Sequence, residues 1–137
     1  MHRVVLDTNI LVSAFFYEGV EREILKLALK GRFILVISPA IIAELRRVLI
    51  EKFNIDEEIV ESYIFRLKQI SKLIKPKKLK EEILRLRDKE DIKIIECAYY
   101  GKCKYIVTGD KDLLSLKEYK GIKIIQSKDF LSEISST

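Results

Sequence analysis

The segment RVVLDTN, residues Arg3 to Asn9, carries the clearest structural signal in the chain. Three aliphatic residues, two of them β-branched, precede the carboxylate of Asp7, and such a run predicts a short buried strand. A helical pattern from Ile10 to Tyr17 follows at once, so a strand–helix unit is expected. In open α/β sheets the ligand crevice lies outside the carboxyl ends of the strands. Asp7 therefore either lies in such a crevice or caps the helix that follows, since Asp is a favoured N-cap residue.

Strand and helix patterns alternate along the rest of the chain. Further strands are predicted at residues 33–37, 105–108 and 122–125, with a short edge strand at 73–74. Helical patterns are found at residues 20–31, 39–53, 56–71 and 128–134, after residue 87 and after residue 113. This alternation predicts an α/β fold with a mainly parallel, roughly five-stranded sheet and helices on both faces.

The composition is that of a globular protein. Of the 137 residues, 48% are hydrophobic and 34% are charged. No apolar run approaches the roughly 18 residues of a membrane span, and the first residues lack the basic start and apolar core of a secretory signal. We therefore expect one domain over residues 1–137, in the cytoplasm and without a membrane partner.

The residue types exclude several common kinds of active site. The single histidine, His2, lies near the terminus, which excludes Ser-His-Asp chemistry and His-rich metal sites. Cys97 and Cys103 lack the spacing of zinc or redox motifs. The five glycines form no Gly-x-Gly loop, so the common nucleotide-binding loops are absent.

Glu44 is the second acid of interest. It lies on the edge of the apolar stripe that Ile41 and Val48 form on its predicted helix. The nearby Arg46 and Arg47 are predicted to project to the other side of this helix, which would leave Glu44 without a basic partner. A buried carboxylate without a partner is unfavourable, and this favours a functional role over a structural one.

Two more acids complete the set. Asp91 lies on the buried stripe of its helix, three residues before Ile94, whereas Asp88 and Glu90 are explained as a cap and a first-turn acid that favours the helix dipole. Asp110 follows the strand at residues 105–108, so a second strand ends in an acid.

If the strands are parallel, Asp7, Glu44, Asp91 and Asp110 converge at one end of the sheet. Four carboxylates at close range repel one another and raise at least one pKa unless a cation lies between them. An all-oxygen site suits Mg²⁺ or Mn²⁺. Such ions activate water and stabilise charge on a phosphodiester.

A basic stretch accompanies these acids. From Arg66 to Lys80 the chain has seven basic residues and no acid, within a net charge of +5. Two explanations are open: the stretch holds the phosphates of a polyanionic substrate, or it is an ordinary solvated helix face.

Four segments of the chain resemble, in order, the motifs of the PIN-domain family. They are VVLDTNILVSA from Val4, Ser38-Pro39 with Glu44-Leu45, Asp91 with Ala98 seven residues later, and YIVTGDKDLL from Tyr105. The resemblance covers the chain from Arg3 to the helix at residues 128–131. It is closest to the prokaryotic, VapC-like members classed as toxins of toxin–antitoxin pairs.

The resemblance implies a metal-dependent ribonuclease on a three-layer α/β/α sandwich. The implied holders of Mg²⁺ or Mn²⁺, which are also the catalytic residues, are Asp7, Glu44, Asp91 and Asp110. Asp112 substitutes for Asp110 or assists it. The residues implied to orient this shell through hydrogen bonds are Thr8, Asn9 and Thr108. Lys89 and Glu90 replace the Pro and Asp that relatives more often carry, which leaves the role of Glu90 open. Basic residues expected to follow the RNA backbone by charge are Arg46, Arg47, Lys68, Lys72, Lys75, Lys77 and Lys78.

The expected partners are an RNA substrate, a small antitoxin protein and a second copy of the chain. Two other functions are kept open. One is a non-catalytic RNA- or protein-binding module in which the acidic pocket is vestigial. The other is a receiver-like, Mg-binding phosphoacceptor, which also gathers acids at the ends of parallel strands.

Overall fold

The structure is a computed structural model that describes residues 1–79 and 88–136. Lys80, the last member of the basic stretch, and Arg87 lie outside the described residues. Within those two ranges no helix is long and apolar enough to cross a lipid bilayer.

Six strands form the sheet within residues 1–79 and 88–136, one more than expected. They are β1 (Arg3–Leu6), β2 (Ile34–Ile37), β3 (Ser71–Leu73), β4 (Tyr105–Val107), β5 (Glu118–Tyr119) and β6 (Ile122–Ile125). Their order is β3-β2-β1-β4-β6-β5, and every pairing is parallel except the antiparallel pair of β5 and β6. The additional strand, β5, is only two residues long, which is too short for a sequence pattern to indicate.

In the part of the chain that the structure describes, seven α-helices surround this sheet: α1 (Thr8–Phe16), α2 (Val20–Leu29), α3 (Pro39–Arg47), α4 (Glu57–Ile70), α5 (Lys89–Tyr100), α6 (Lys111–Leu116) and α7 (Ser127–Ser135). The predicted start of α3 is confirmed, because Ser38 accepts a hydrogen bond from the backbone of Ile41 and Pro39 occupies the first helical position. The predicted helix at residues 39–53 changes character at Val48–Lys52, which is π-helical.

The edge strand is displaced from its predicted position at residues 73–74. Observed β3 begins at Ser71, immediately after α4, and runs parallel to β2. The backbone N–H of Ile74 still donates to Ile37 at 2.9 Å, so the ladder continues one residue past the assigned strand. Pairing with β2 therefore sets the position of this strand more strongly than its own two aliphatic residues do.

The core forms around β1, the third strand from one edge of the sheet. Its Val4, Val5 and Leu6 are completely or almost completely buried, as the continuous apolar run predicts for a strand covered on both faces. Helix α5 packs against β1, β2 and β4. The result is a three-layer α/β/α sandwich with a mainly parallel sheet, which confirms the predicted fold class.

The register of the central strands brings three chain segments together at one edge of the sheet. Leu6 of β1 is paired with Val107 of β4, which is paired in turn with Ile125 of β6. The next residue of each segment, namely Asp7, Thr108 and Gln126, therefore lies just beyond the carboxyl ends of the strands. Two backbone hydrogen bonds continue the ladder there, from Asp7 to Val107 at 2.9 Å and from Thr108 to Ile125 at 3.0 Å.

Candidate metal-binding acidic site

Asp7 is buried at the end of β1 and is not a helix cap. It occupies the N-cap position of α1, but its side chain makes no capping hydrogen bond. Its Oδ2 atom instead accepts a hydrogen bond from the hydroxyl of Thr108, at 2.6 Å. The carboxylate is thus fixed by the neighbouring strand, and the capping interpretation left open by the sequence is excluded.

The surroundings of Asp7 disfavour its negative charge. Burial is the largest cause of its raised pKa, and the charges of Asp110 and Asp88 raise that pKa further. Hydrogen bonds from the Thr108 side chain and the Thr8 backbone act in the opposite direction and lower the pKa. Those two bonds stabilise an anion that the other neighbours destabilise.

Three further carboxylates meet beside Asp7. Oxygen atoms of Asp88, Asp91 and Asp110 all lie within 4.8 Å of one another. Asp91 is in the first turn of α5 and is only 4% exposed. The other two are the N-cap residues of α5 and α6: Oδ1 of Asp88 accepts from the Glu90 backbone at 2.9 Å, and Oδ1 of Asp110 accepts from the Asp112 backbone at 2.7 Å. The N-cap residues of α5 and α6 therefore lie next to each other at the acidic site.

Among the four aspartates, the surroundings of Asp91 disfavour ionisation most strongly. Burial, followed by the charges of Asp110, Asp88, Asp7 and Asp112, raises its pKa to about 7. Its Oδ2 atom is the one buried side-chain polar atom, within residues 1–79 and 88–136, that has no hydrogen-bond partner. A buried carboxylate oxygen without a partner is costly, and a cation is the partner that would relieve both the missing bond and the repulsion.

The donor set fits a hard divalent cation. All four nearby groups are carboxylates. Asp88 and Asp110 each use Oδ1 to cap a helix, which leaves Oδ2 for a ligand. Asp91 has an oxygen without a hydrogen-bond partner. Oxygen ligands with room for water are the preference of Mg²⁺ and Mn²⁺. The residues present therefore suit the ion that the fold implies.

Sequence reasoning missed Asp88 as a member of this group. It was expected to be a cap alone, and it is indeed a cap, since it accepts from the Glu90 backbone. The spacing contained a signal, because residues three apart at a helix start lie on the same side, so the exposed cap Asp88 lies beside the buried Asp91. An aspartate that caps a helix has two carboxylate oxygens. Because only Oδ1 of Asp88 accepts the capping hydrogen bond, its second oxygen is available to the acidic site.

Glu44 lies beside this group rather than in its centre. Among the described residues it is not part of the close cluster, and its side chain is paired instead with the guanidinium of Arg47. The pKa of Glu90 is raised, chiefly by burial and next by the charge of Glu44. Arg47 lowers the pKa of Glu90. Glu44, Arg47 and Glu90 thus form an ion group that borders the four aspartates.

The predicted direction of Arg47 is wrong. It was expected to project away from Glu44, but residues three apart are neighbours on a helix surface and the long Arg side chain spans that distance. Arg46 does turn away and forms two hydrogen bonds with Glu61 of α4, at 2.6 and 2.9 Å. Both arginines that were candidates for RNA contact are therefore engaged with carboxylates.

The remaining candidates around Asp7 differ in their surroundings. Thr108 is completely buried, and its hydroxyl both donates to Asp7 and accepts from the backbone of Asp110 at 3.0 Å. Thr8 is buried next to Asp7, whereas Asn9 is exposed. Asp112 is exposed and affects Asp91 only as the weakest of the charges named above.

The basic residues lie at different ends of the sheet. Lys75, Lys77 and Lys78 are exposed and follow the carboxyl end of β3, on the edge that bears Asp7. Lys68 lies near the end of α4 and Lys72 within β3, so neither is on that edge. All five of these lysines are exposed.

Comparison with known proteins places this fold and its acids in context. The family model for the PIN domain matches residues 3–112, a range that includes every one of the clustered aspartates. The uncharacterized protein MJ1680 of Methanocaldococcus jannaschii is 32% identical over 128 residues, which cover 89% of this chain and 80% of that protein.

Two solved structures have a similar fold. VapBC2 from Rickettsia felis, solved bound to a DNA fragment from their promoter, superposes with a TM-score of 0.67 at 18% identity, covering 90% of this chain and 98% of that one. PAE2754 from Pyrobaculum aerophilum superposes with a TM-score of 0.66 at 20% identity, covering 99% and 91%. These identities show the fold alone. Because the family model matches most of the chain, with Asp7 at its beginning and Asp110 near its end, the chain belongs to the PIN domain family.

Proposed function

We propose that this protein is an endoribonuclease that hydrolyses RNA phosphodiester bonds with the help of Mg²⁺ or Mn²⁺. PIN domains are generally nucleases, and the chain retains an acidic centre suited to that chemistry. One observation carries the proposal: the buried Asp91 leaves its Oδ2 without a partner and has a carboxylate oxygen within 4.8 Å of oxygens of Asp88 and Asp110. Repulsion between these carboxylates lowers the stability of the folded protein, and a bound cation would offset that repulsion.

The proposed holders of the ion are Asp7, Asp88, Asp91 and Asp110. When bound, a divalent ion there lowers the pKa of water and offsets the charge that develops on the phosphoryl oxygens. Thr108 orients the Asp7 carboxylate through its 2.6 Å hydrogen bond, which also lowers the pKa of Asp7 against the raising effect of burial. Glu44 and Asp112 border the group and are proposed to contact water or a second ion, with Thr8 and Asn9 supporting the Asp7 segment.

Three exposed lysines are the proposed contacts to the RNA backbone. Lys75, Lys77 and Lys78 lie on the same edge of the sheet as the acids and have no carboxylate partner among the described residues. Arg46 and Arg47 are paired with Glu61 and Glu44, so RNA would have to compete for them. Contacts of this kind position the strand without reading its sequence.

The test is cleavage of a structured RNA by purified wild-type protein with Mn²⁺ or Mg²⁺, compared with the variants Asp7→Asn and Asp91→Asn. The matched control is Asp56→Asn, an exposed N-cap of α4 where Asn caps equally well. We expect loss of about a hundredfold or more in both site variants and none in the control. If the folded Asp7→Asn protein cleaves at the wild-type rate, the site assignment is wrong. If wild type binds RNA but cleaves none with either ion, the non-catalytic binding module is the better description.

We further propose that the protein is the toxin of a type II toxin–antitoxin pair. The similar fold of VapBC2 from Rickettsia felis, which was solved bound to a DNA fragment from their promoter, motivates this step. An apolar groove between α1, α2 and α4 is a suitable place for a small antitoxin. Its lining includes Phe15, Leu25, Leu29 and Leu67, together with Arg22 and Arg66. Co-purification with the product of the adjacent reading frame, and inhibition of cleavage by that product, would test it.

A homodimer is proposed on separate grounds. Two aromatic side chains, Tyr17 and Phe65, are 70% and 62% exposed. Exposed aromatic residues are enriched in interfaces. Light scattering at micromolar concentration, with Tyr17→Ser as the variant, measures the oligomeric state.

A further inference from the structure

A second cavity opens next to the acidic site and is not used by the chemistry described above. Its volume is about 360 Å³, within the range of pockets that hold small molecules. The residues that line it come from α1, the start of α2, the turn after β4 and the start of α7, and they include Asn9, Val20, Glu21, Thr108, Ser127 and Lys128. The cavity mixes amide, hydroxyl, charged and aliphatic groups, as a nucleotide site requires.

Thr108 joins this cavity to the acidic site. It lines the cavity and donates the 2.6 Å hydrogen bond to Asp7. Gly109, the next residue, also lines the cavity, and a Cβ atom built there meets no atom within 4 Å. A polymer held at Asp7 therefore has open space for its neighbouring unit on the far side of Thr108.

The start of α7 offers hydrogen-bond donors to this space. Ser127 and Lys128 are its first two helical residues, so their backbone N–H groups have no partner within the helix. The N-cap residue Gln126 makes no side-chain capping bond. An uncapped helix start of this kind binds anions, phosphate groups in particular.

Ser127 is the second, independent sign of a ligand. The residue is only 8% exposed, yet it lines the cavity, and its hydroxyl has no hydrogen-bond partner in the part of the chain that the structure describes. The hydroxyl is the part of this residue that stays accessible, and the cavity is the space from which a partner can reach it. A ligand oxygen in the cavity would provide the missing partner.

The charges around the cavity favour α7 over α2 for the phosphate. Lys128 lines the cavity beside Ser127, whereas the start of α2 carries Glu21, whose carboxylate already faces the positive end of that helix. Asp129 is in the first turn of α7 but is exposed and does not line the cavity. Glu21 can instead accept a hydrogen bond from a sugar hydroxyl or a base.

We propose that this cavity binds the nucleotide that adjoins the scissile phosphate of the RNA strand, with its phosphate at the start of α7. The phosphate accepts hydrogen bonds from the Ser127 hydroxyl and from the first N–H groups of the helix, with Lys128 beside it. The base rests against Ile10 and Val20, where the amides of Asn9 and Gln126 meet its edge and make cleavage dependent on base identity. This inference rests on the proposed ribonuclease function.

The first experiment separates KM from kcat for cleavage of a short RNA. Ser127→Ala and Lys128→Ala should each raise KM about five- to tenfold, because each removes a charge-assisted contact to phosphate, and should change kcat less than about twofold. The matched control is Ser132→Ala, an exposed serine on the same helix, which should leave both constants unchanged. Wild-type KM in the two cavity variants, or an equal rise in the control, overturns the inference.

A second experiment is independent of metal and of catalysis. Adenosine 5′-monophosphate is titrated into the full chain in EDTA, and backbone amide resonances are followed by NMR. The nucleotide site is supported by resonance shifts at Gly109, Ser127 and Lys128 that disappear in Ser127→Ala. If these shifts are seen but wild type cleaves no RNA, only the ribonuclease proposal fails. If no cleavage is found and these amides do not move, both proposals fail. If RNA is cleaved, the KM comparison decides.

Discussion

Neutralising Asp91 should stabilise the metal-free protein even though we expect it to reduce RNA cleavage. The side chain is 4% exposed and faces the like charges of Asp110, Asp88, Asp7 and Asp112. The change Asp91→Asn removes one charge from that group and keeps the shape of the side chain. The new amide group can also donate hydrogen bonds to the carboxylates that previously repelled it.

The size of the effect follows from the pKa of Asp91, which rises from 3.8 to about 7 in the folded chain. The folded state therefore holds this proton more tightly than the unfolded chain does, so stability falls as pH rises between about 4 and 7 and stays low above that range. At about 1.4 kcal/mol for each unit of pKa, the whole difference is about 4 kcal/mol. Water reaches the exposed side of the group, so we expect about 2 kcal/mol at pH 8.

The assay is thermal unfolding in EDTA, followed by circular dichroism at several pH values. About 2 kcal/mol corresponds to a Tm increase of about 6 °C for a chain of this size. Asp91→Asn should exceed wild type by that amount near pH 8 and match it near pH 4, where the wild-type carboxyl is protonated as well. Asp56→Asn, on the surface, should follow wild type throughout.

Added Mn²⁺ should reverse the order of the two proteins. A ligand that binds only the native state raises Tm, so millimolar Mn²⁺ should stabilise wild type and leave Asp91→Asn nearly unchanged. A variant that is less stable than wild type in EDTA at pH 8, or a Tm difference that does not depend on pH, would refute the electrostatic account of this site.

Three further changes have defined outcomes. Thr108→Val removes the hydroxyl that holds Asp7, so RNA cleavage should fall at least about tenfold while Thr108→Ser retains most activity; equal activity in the two variants would contradict this. Gly101→Ala should lower the free energy of unfolding by about 1 to 3 kcal/mol in urea titration, because the new Cβ would lie 2.6 Å from the Cys97 carbonyl oxygen, and an unchanged midpoint would count against that contact. Lys77→Ala should reduce the slope of log affinity for RNA against log salt by about one if this residue contacts a phosphate; an unchanged slope removes it from the interface.

The sequence was sufficient for the four central strands, β1, β2, β4 and β6, and for the edge of the sheet at which the acids lie. Continuous aliphatic runs at Val4–Leu6 and in β4 predict strands covered on both faces, and both are buried. The abrupt change from Leu6 to Asp7 predicts a polar group at a strand end. This information is local, since a buried strand and its end are both visible within about seven residues.

Side-chain directions near the site were harder to predict because they depend on partners distant in sequence. The spacing of Arg47 and Glu44 allows a contact, but whether it forms depends on what else surrounds the acid. The role of Asp88 depends on the approach of Asp110, 22 positions later, which no helical pattern contains. The cavity at Ser127 required the pairing of β6 with β4, which brings the start of α7 next to Thr108.

The most direct test of the account is a Mn²⁺ binding titration of the purified protein, measured by isothermal calorimetry at about pH 7.5 without RNA. We predict saturable binding by wild type and by the Asp56→Asn control, and binding weakened at least about tenfold in Asp91→Asn and in Asp7→Asn, because each change removes an anionic ligand. Wild-type protein that cleaves RNA without binding Mn²⁺ or Mg²⁺, or a folded Asp91→Asn variant with wild-type affinity, would contradict the claim that these aspartates form a metal centre.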